Sequence, residues 1–206
     1  MLSYMEIKSK AFVLKCVPYS ESDLIVTFLT QDDGVIQSFI RGAKNSKKRF
    51  GGGVLQPPHL IEIEASPPKR PLNSDLYTIK EAKLVKDFSE VKRSYPSLTL
   101  LASMIKLLLN SEAIHKEHFN LFGYGLVELG QVKNHRRFFS HFVTRYLSLE
   151  GALPDEPALF DLGRTPINSH KGLSEVSKDQ ANKEAALASH YLQSYTGSKS
   201  EFKWPK

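Results

Sequence analysis

The chain has 206 residues, 41% hydrophobic and 24% charged, and its 28 Lys and Arg against 22 Asp and Glu leave a formal charge of +6. This composition excludes a fibrous or wholly disordered chain. The single cysteine, Cys16, excludes an internal disulfide and leaves any zinc site without thiolate support.

The first eighty or so residues read as short strands between turn signals. AFVLKCV (11–17) is rich in β-branched and aromatic residues and is closed by Pro18; DLIVTFLT (23–30) follows, and Asp33-Gly34 supplies a tight turn before VIQSFI (35–40). Past a basic loop and Pro57-Pro58, HLIEIEA (59–65) alternates Ile61 and Ile63 with Glu62 and Glu64, the period of a half-buried strand. The turn SPPKRP leads into a fifth strand in LYTIKEAKLV. The fold class expected is α+β: a five-stranded OB-type β-barrel over residues 1–82, followed by an all-helical domain over 83–206. In that second part YPSLTLLASMIKLLLNSE places Leu98, Leu101, Ile105 and Leu108 at helical spacing, with Ser97 as a cap after Pro96. Residues 117–131 and 135–151 form two more helices, the latter stopped by Gly151 and Pro154. An irregular connection is expected at about 152–173, a polar amphipathic helix at 174–195, and a fraying end in TGSKSEFKWPK.

The opening MLSYMEIKSKAF has no apolar core of secretory length, and the most apolar run, LTLLASMIKLLL, is broken by Lys106. A cytoplasmic protein without a membrane span is expected. The excess of cations favours polyanionic partners: nucleic acid first, an acidic protein tail second, an anionic membrane last.

The cations concentrate in RGAKNSKKRFGGG (41–53), which holds five cationic side chains and no acid. Arg41, Lys44, Lys47, Lys48 and Arg49 can approach several phosphates at once and gain affinity by releasing counterions, without reading sequence. Gly51, Gly52 and Gly53 are expected to keep the loop mobile. With Ile36 and Ile40 pointing inward, Gln37, Phe39 and Arg41 share an outer face, on which Phe39 offers a ring for a stacked base and Phe50 a second. Phe39 packed beneath a neighbour is the plainer alternative. Lys15, Lys69 and Arg70 extend the positive surface, or serve as ordinary solvated charges.

Chemistry of other kinds is not signalled. GGG is not followed by GK[ST], and GYGLVELG lies in a helical pattern, so neither is a phosphate or dinucleotide fingerprint. The seven histidines are dispersed without ligand spacing and are expected at the surface or between helices. Glu21 with Asp23, and Asp32 with Asp33, fit turns better than catalytic carboxylate pairs. Cys16 is expected to be a small buried hydrophobe. No catalytic residue, cofactor, metal or small-molecule substrate is expected, and a hydrolase would need a cleft gathering histidines and carboxylates that the sequence keeps apart.

From KAFVLKCVPYSESDLIVTFLT to HLIEIE the chain closely resembles the N-terminal half of the bacterial RecO family of DNA repair and recombination mediators. The marks are the Tyr-x-Glu-x-Asp turn (Tyr19, Glu21, Asp23), Thr30, Gly34, the Arg41-Gly42-Ala43 step, the basic loop, and Leu55-Gln56-Pro57. RRFFSHFVTRYLSLEGALPD (136–155) is similar to a helix of that family. The resemblance implies an N-terminal OB fold, a helical domain, binding of single- and double-stranded DNA, and annealing of complementary strands. It also implies work beside the RecR protein in loading recombinase onto strands covered by single-strand-binding protein, whose acidic tail the helical domain receives; Arg136, Arg137 and Arg145 lie in the matching region. Many members carry a four-cysteine zinc site after the Pro-Asp step. Here Pro154-Asp155 runs into EPALFDLGRTP, so zinc is not expected. The rival reading is an interaction adaptor whose positive surface receives an acidic peptide, with DNA contact incidental.

Overall fold

Alternating apolar side chains close the first strands into a barrel. In the computed structural model, which describes residues 6–68, 75–111, 113–173 and 175–197, the strands are β1 (Ile7–Pro18), β2 (Leu24–Thr30), β3 (Val35–Ile40), β4 (Leu60–Ser66) and β5 (Leu76–Lys86). They form a closed barrel in the order β1-β2-β3-β5-β4. Only the β3–β5 seam is parallel, and there Ser38 Oγ donates to the Tyr77 carbonyl at 2.7 Å. The five-stranded barrel followed by helices is the fold class expected from the sequence. The chain divides into two units, Met1–Ser89 with Ala113–Phe119 and Glu90–Glu112 with Asn120–Lys206.

The barrel interior is filled by Val13, Val26, Phe28, Ile36, Ile61, Ile63 and Ile79, all nearly or fully shielded from solvent. β1 is long enough to pair with β4 along Ile7–Phe12 and with β2 along Ala11–Pro18. Its register shifts between Val13 and Lys15, so Val13 and Cys16 both contribute to the interior while Lys15 stays outside. Cys16 is half-buried, and desolvation raises its thiol pKa.

The outer surface of the barrel has three different zones. Phe12 and Leu29 pair across β1 and β2 and are covered: the Phe12 ring lies 4.8 Å from that of Phe119 and 6.1 Å from that of Phe88. At the adjoining turn Gly34 has φ +67, and a Cβ there would come within 3.2 Å of the Ile114 carbonyl oxygen, so glycine serves both the conformation and the close approach. A second zone, over β4, β5 and the start of β1, has charges of both signs, with ion pairs Lys8–Glu64 at 2.7 Å, Lys83–Glu81 at 3.5 Å, and Lys80–Glu6. The third zone is the outer face of β2, β3 and the end of β1, where cations and aromatic rings gather.

The helical unit is organised by α4 (His135–Leu149), whose Phe138, Phe139, Phe142, Val143, Tyr146 and Leu147 are almost wholly buried. Around it lie α2 (Tyr95–Leu109), most of α3 (Lys116–Leu129), the short α5 (Phe160–Arg164) and α6 (Lys178–Thr196). The helix preceding α2 is a single turn in the basic loop, α1 (Lys47–Phe50). Ser94 rather than Ser97 caps α2, accepting from the Ser97 amide, and the buried stripe is Leu100, Leu101, Met104, Leu107 and Leu108. Leu98 is left 43% exposed, because a stripe through Leu100, Met104 and Leu107 lies on a different part of the helix from one through Leu98 and Ile105. The irregular connection contains α5 between 3-10 turns at Pro157–Leu159 and Ile167–Gly172. The end of the chain past residue 197, expected to fray, lies outside the described residues. Among the described residues no helix is long and apolar enough to cross a membrane.

Polar contacts fasten neighbouring elements onto α4. Arg137 and Glu184, both buried, pair at 3.1 Å and tie α4 to α6. His141 Nδ1 meets His170 Nδ1 at 3.0 Å, and His141 Nε2 lies 2.8 Å from the Thr165 carbonyl. A carbonyl only accepts, so the proton on His141 sits at Nε2, and His170 Nδ1–H donates to the bare His141 Nδ1. Desolvation pushes the pKa of each down to about 4, which keeps both neutral at ordinary pH.

Replacing Glu184 by Ala leaves the Arg137 charge buried, and a loss of about 3–5 kcal/mol is expected for such a change; chemical denaturation of the two proteins measures it. The histidine pair gives a pH dependence of known sign. Unfolded histidine takes up a proton near pH 6.5 and the folded pair only near pH 4, so this contribution is complete above pH 6.5 and is lost as pH falls toward 4. Melting temperatures across that window should fall with acidification, and less steeply in His170→Asn.

Candidate nucleic-acid interface

The third zone of the barrel is built by register. Lys15, Thr27 and Gln37 stand side by side across β1, β2 and β3, and Val17, Ile25 and Phe39 form the next row. Because Ile36, Ser38 and Ile40 point into the barrel, Gln37, Phe39 and Arg41 face outward. The Phe39 ring is only half-covered. It meets the Tyr19 ring edge-on, with centroids 5.1 Å apart and planes at 82°, and the Arg41 guanidinium lies 5.9 Å from its centre.

At the end of this face two turns clasp each other. The Tyr19 amide donates to the Asp23 carbonyl at 3.0 Å, and the Ser20 hydroxyl accepts from the amides of Ser22 and Asp23. The Asp23 carboxylate accepts from the Gly42 amide at 2.8 Å and from the Ser22 hydroxyl at 3.1 Å. The Lys44 amide donates back to the Ser22 carbonyl at 3.1 Å, and Lys44 Nζ to the Ser20 carbonyl at 2.8 Å. Gly42 adopts φ +61, a left-handed conformation that glycine enters without steric cost, and this turns its amide toward Asp23. The Gly42 amide, then the Ser20 hydroxyl, hold the Asp23 carboxyl below the usual carboxylate range.

The basic run carries local structure that its composition does not signal. Where a mobile glycine loop is expected from the sequence, Ser46 caps the helical turn α1 by accepting from the Arg49 amide, and Gly51–Gly53 continue as a 3-10 turn. Phe50, expected as an outward ring, is 5% exposed and joins the barrel core with Val54 and Leu55; its burial anchors the turn from beneath. Arg49 folds back, donating to the Arg41 carbonyl at 3.3 Å and to Ser46 Oγ at 3.4 Å, with its guanidinium 5.0 Å from the Phe50 ring centre. Arg41, Lys44, Lys47, Lys48 and Lys15 are all exposed. Lys69 and Arg70 lie outside the described residues.

The three arginines singled out in the helical unit have internal contacts. Arg137 is buried against Glu184, Arg136 donates to Asn182 Oδ1 at 2.7 Å, and Arg145 donates to the Gly163 carbonyl. Arg137 also lines a groove of about 450 Å³ with Lys133, His170, Lys171, Glu128 and Glu175. Among the described residues no three His, Cys, Asp or Glu side chains gather as a metal ion would require. Sequence reasoning missed Tyr19 as a site residue and Ser46 as a cap. The available signals were a tyrosine between Pro18 and a Ser/Asp turn, and a serine directly before KKRF.

Several of the residues marking the family resemblance, Tyr19, Asp23 and Gly42 among them, fasten these turns. Thr30 Oγ1 donates to the Gly34 carbonyl at 2.8 Å and accepts from the Asp33 amide; Ala43 and Leu55 are buried in the barrel core. The family described as "Recombination protein O N terminal" matches residues 5–88. The chain is 33% identical over 151 residues to the DNA repair protein RecO of Syntrophus aciditrophicus, covering 71% of this chain and 56% of the relative. It is 28% identical over 191 residues to that of Flavobacterium psychrophilum, covering 86% and 77%, and 31% identical over 124 residues to that of Anaeromyxobacter dehalogenans, covering 60% and 47%. The chain thus spans about half the length of the first of the curated relatives it matches. Residues 5–88, the stretch from which the barrel strands come, are thus similar to the family of recombination protein O N-terminal domains.

Proposed function

We propose that the chain is a DNA-binding mediator of recombinational repair that makes and breaks no covalent bond. It binds single- and double-stranded DNA on the outer face of β1–β3 and the adjoining basic turn, brings complementary strands together, and helps to load recombinase beside a RecR-like partner at the bacterial nucleoid. The observation that carries this reading is the distribution of charge around the barrel. Lys8, Lys80 and Lys83 are each paired with a glutamate, whereas Lys15, Arg41, Lys44, Lys47 and Lys48 line one exposed edge whose Asp23 is turned inward to Gly42. Unpaired cations in a row suit a phosphate chain. Annealing follows from the same surface, because two strands whose repulsion is screened by one array of cations pair faster. The relatives named as DNA repair proteins support the assignment.

The helical unit favours a second role within the same function. The groove in which Lys133 and Lys171 stand beside Arg137, Glu128 and Glu175 has the size of a small-ligand or peptide pocket, and its lysines offer contacts to the acidic tail of a single-strand-binding protein. It also keeps open the rival reading of an adaptor for acidic peptides.

Neutralising Lys47 and Lys48 together to Gln leaves Arg49 and its closing hydrogen bonds in place. Affinity for oligonucleotides of any sequence should fall to a similar degree, and the slope of log K against log salt should flatten by roughly 0.7 for each phosphate of a single strand that is no longer neutralised. Fluorescence anisotropy at several salt concentrations, with an acidic-tail peptide titrated in parallel, reads both effects. Unchanged slope and affinity in the double variant would remove this turn from the site; tight peptide binding with no DNA binding would favour the adaptor.

A further inference from the structure

We infer that Tyr19 and Phe39 form a seat for one unpaired nucleobase, which gives the interface a preference for single-stranded over double-stranded DNA. The inference rests on the DNA-binding reading above and deepens it. Tyr19 is 67% exposed, yet its backbone is pinned by the Asp23 carbonyl and its ring is set against Phe39 at 82°. An exposed ring held in place has little rotational freedom left to lose when a ligand stacks on it. Two perpendicular rings make a corner: a flat ligand lying parallel to one meets the other edge-on, a favourable geometry for aromatic groups.

Val17, 39% exposed, and half-buried Ile25 continue the row that ends at Phe39, giving the corner an apolar floor. Cations surround it. Arg41 lies beside Phe39, Lys44 is held at the neighbouring turn by Ser20, and Lys47 and Lys48 follow in α1. A base in the corner therefore carries its own phosphates into a positive rim, the combination that single-strand binders use. In a duplex both faces of every base are covered by stacked neighbours and only edges reach the grooves. Duplex DNA can use the cations but not the corner.

The test compares wild type, Tyr19→Ala and Tyr19→Phe on a short single-stranded oligonucleotide, the same oligonucleotide carrying abasic positions, and its duplex, with melting temperature as a control for folding. Wild type should bind the intact single strand more tightly than the abasic one. Tyr19→Ala should weaken single-strand binding about tenfold, within the range of removing one base–aromatic stack, with duplex affinity, salt slope and melting temperature unchanged. Tyr19→Phe should bind as wild type. Equal weakening on single strand and duplex, or no effect of the alanine on the single strand, would overturn the base seat while leaving the cationic surface standing. Failure of the wild type to bind either form would overturn the cationic surface and the seat with it.

Discussion

A single carboxylate, that of Asp23, holds the amide of Gly42 and so joins the turn after β1 to the turn after β3. The cations of the basic run follow directly from that joint: Gly42 turns left-handed to present its amide, Ala43 drops into the core, and Lys44 reaches back across to Ser20. An acid at the centre of a positive surface looks counterproductive if charge is only counted. Its oxygens are turned to the Gly42 amide and the Ser22 hydroxyl, so its charge serves to shape the loop. Because its pKa is held below the usual carboxylate range, the clasp keeps its charge through that range and weakens only as pH falls below it.

The cations differ in what they do, and position separates them. Arg49 closes α1 onto the Arg41 carbonyl and Ser46, Arg137 is an internal ion pair, and Arg145 and Arg136 bind a carbonyl and an amide within the helical unit. Lys47 and Lys48 point to solvent from a turn that Phe50 anchors beneath. A planar guanidinium with five donors suits fixed internal bonds, while an ammonium on a flexible stem suits a moving polyanion. The arginines here are mostly construction, and the lysines are mostly surface.

The barrel is legible in the sequence because each strand carries its own period: Ile61 and Ile63 against Glu62 and Glu64, and Ile36 and Ile40 against Gln37 and Phe39, fix which side faces inward. The outward placement of Phe39 follows from that alternation, whereas its partner Tyr19 does not, since the ring contact depends on how the turn after β1 lies against β3. The basic run reads as mobile because three glycines outweigh one serine cap and one phenylalanine whose burial only the closed barrel reveals. In α2, several leucine stripes are available at helical spacing, and the neighbours that choose among them are not written locally. The His141–His170 pair is likewise hidden, as residues 29 apart in a segment without period meet only through the path of the chain around α4.

The most direct test of the joint is to remove the acid that makes it. Oligonucleotide affinity of Asp23→Ala, measured against wild type at one low salt concentration, sets shape against net charge. If Asp23 positions the cationic turn, the variant binds more weakly although its surface has become more positive. Equal or tighter binding would mean that charge alone suffices and that the clasp does not organise the interface.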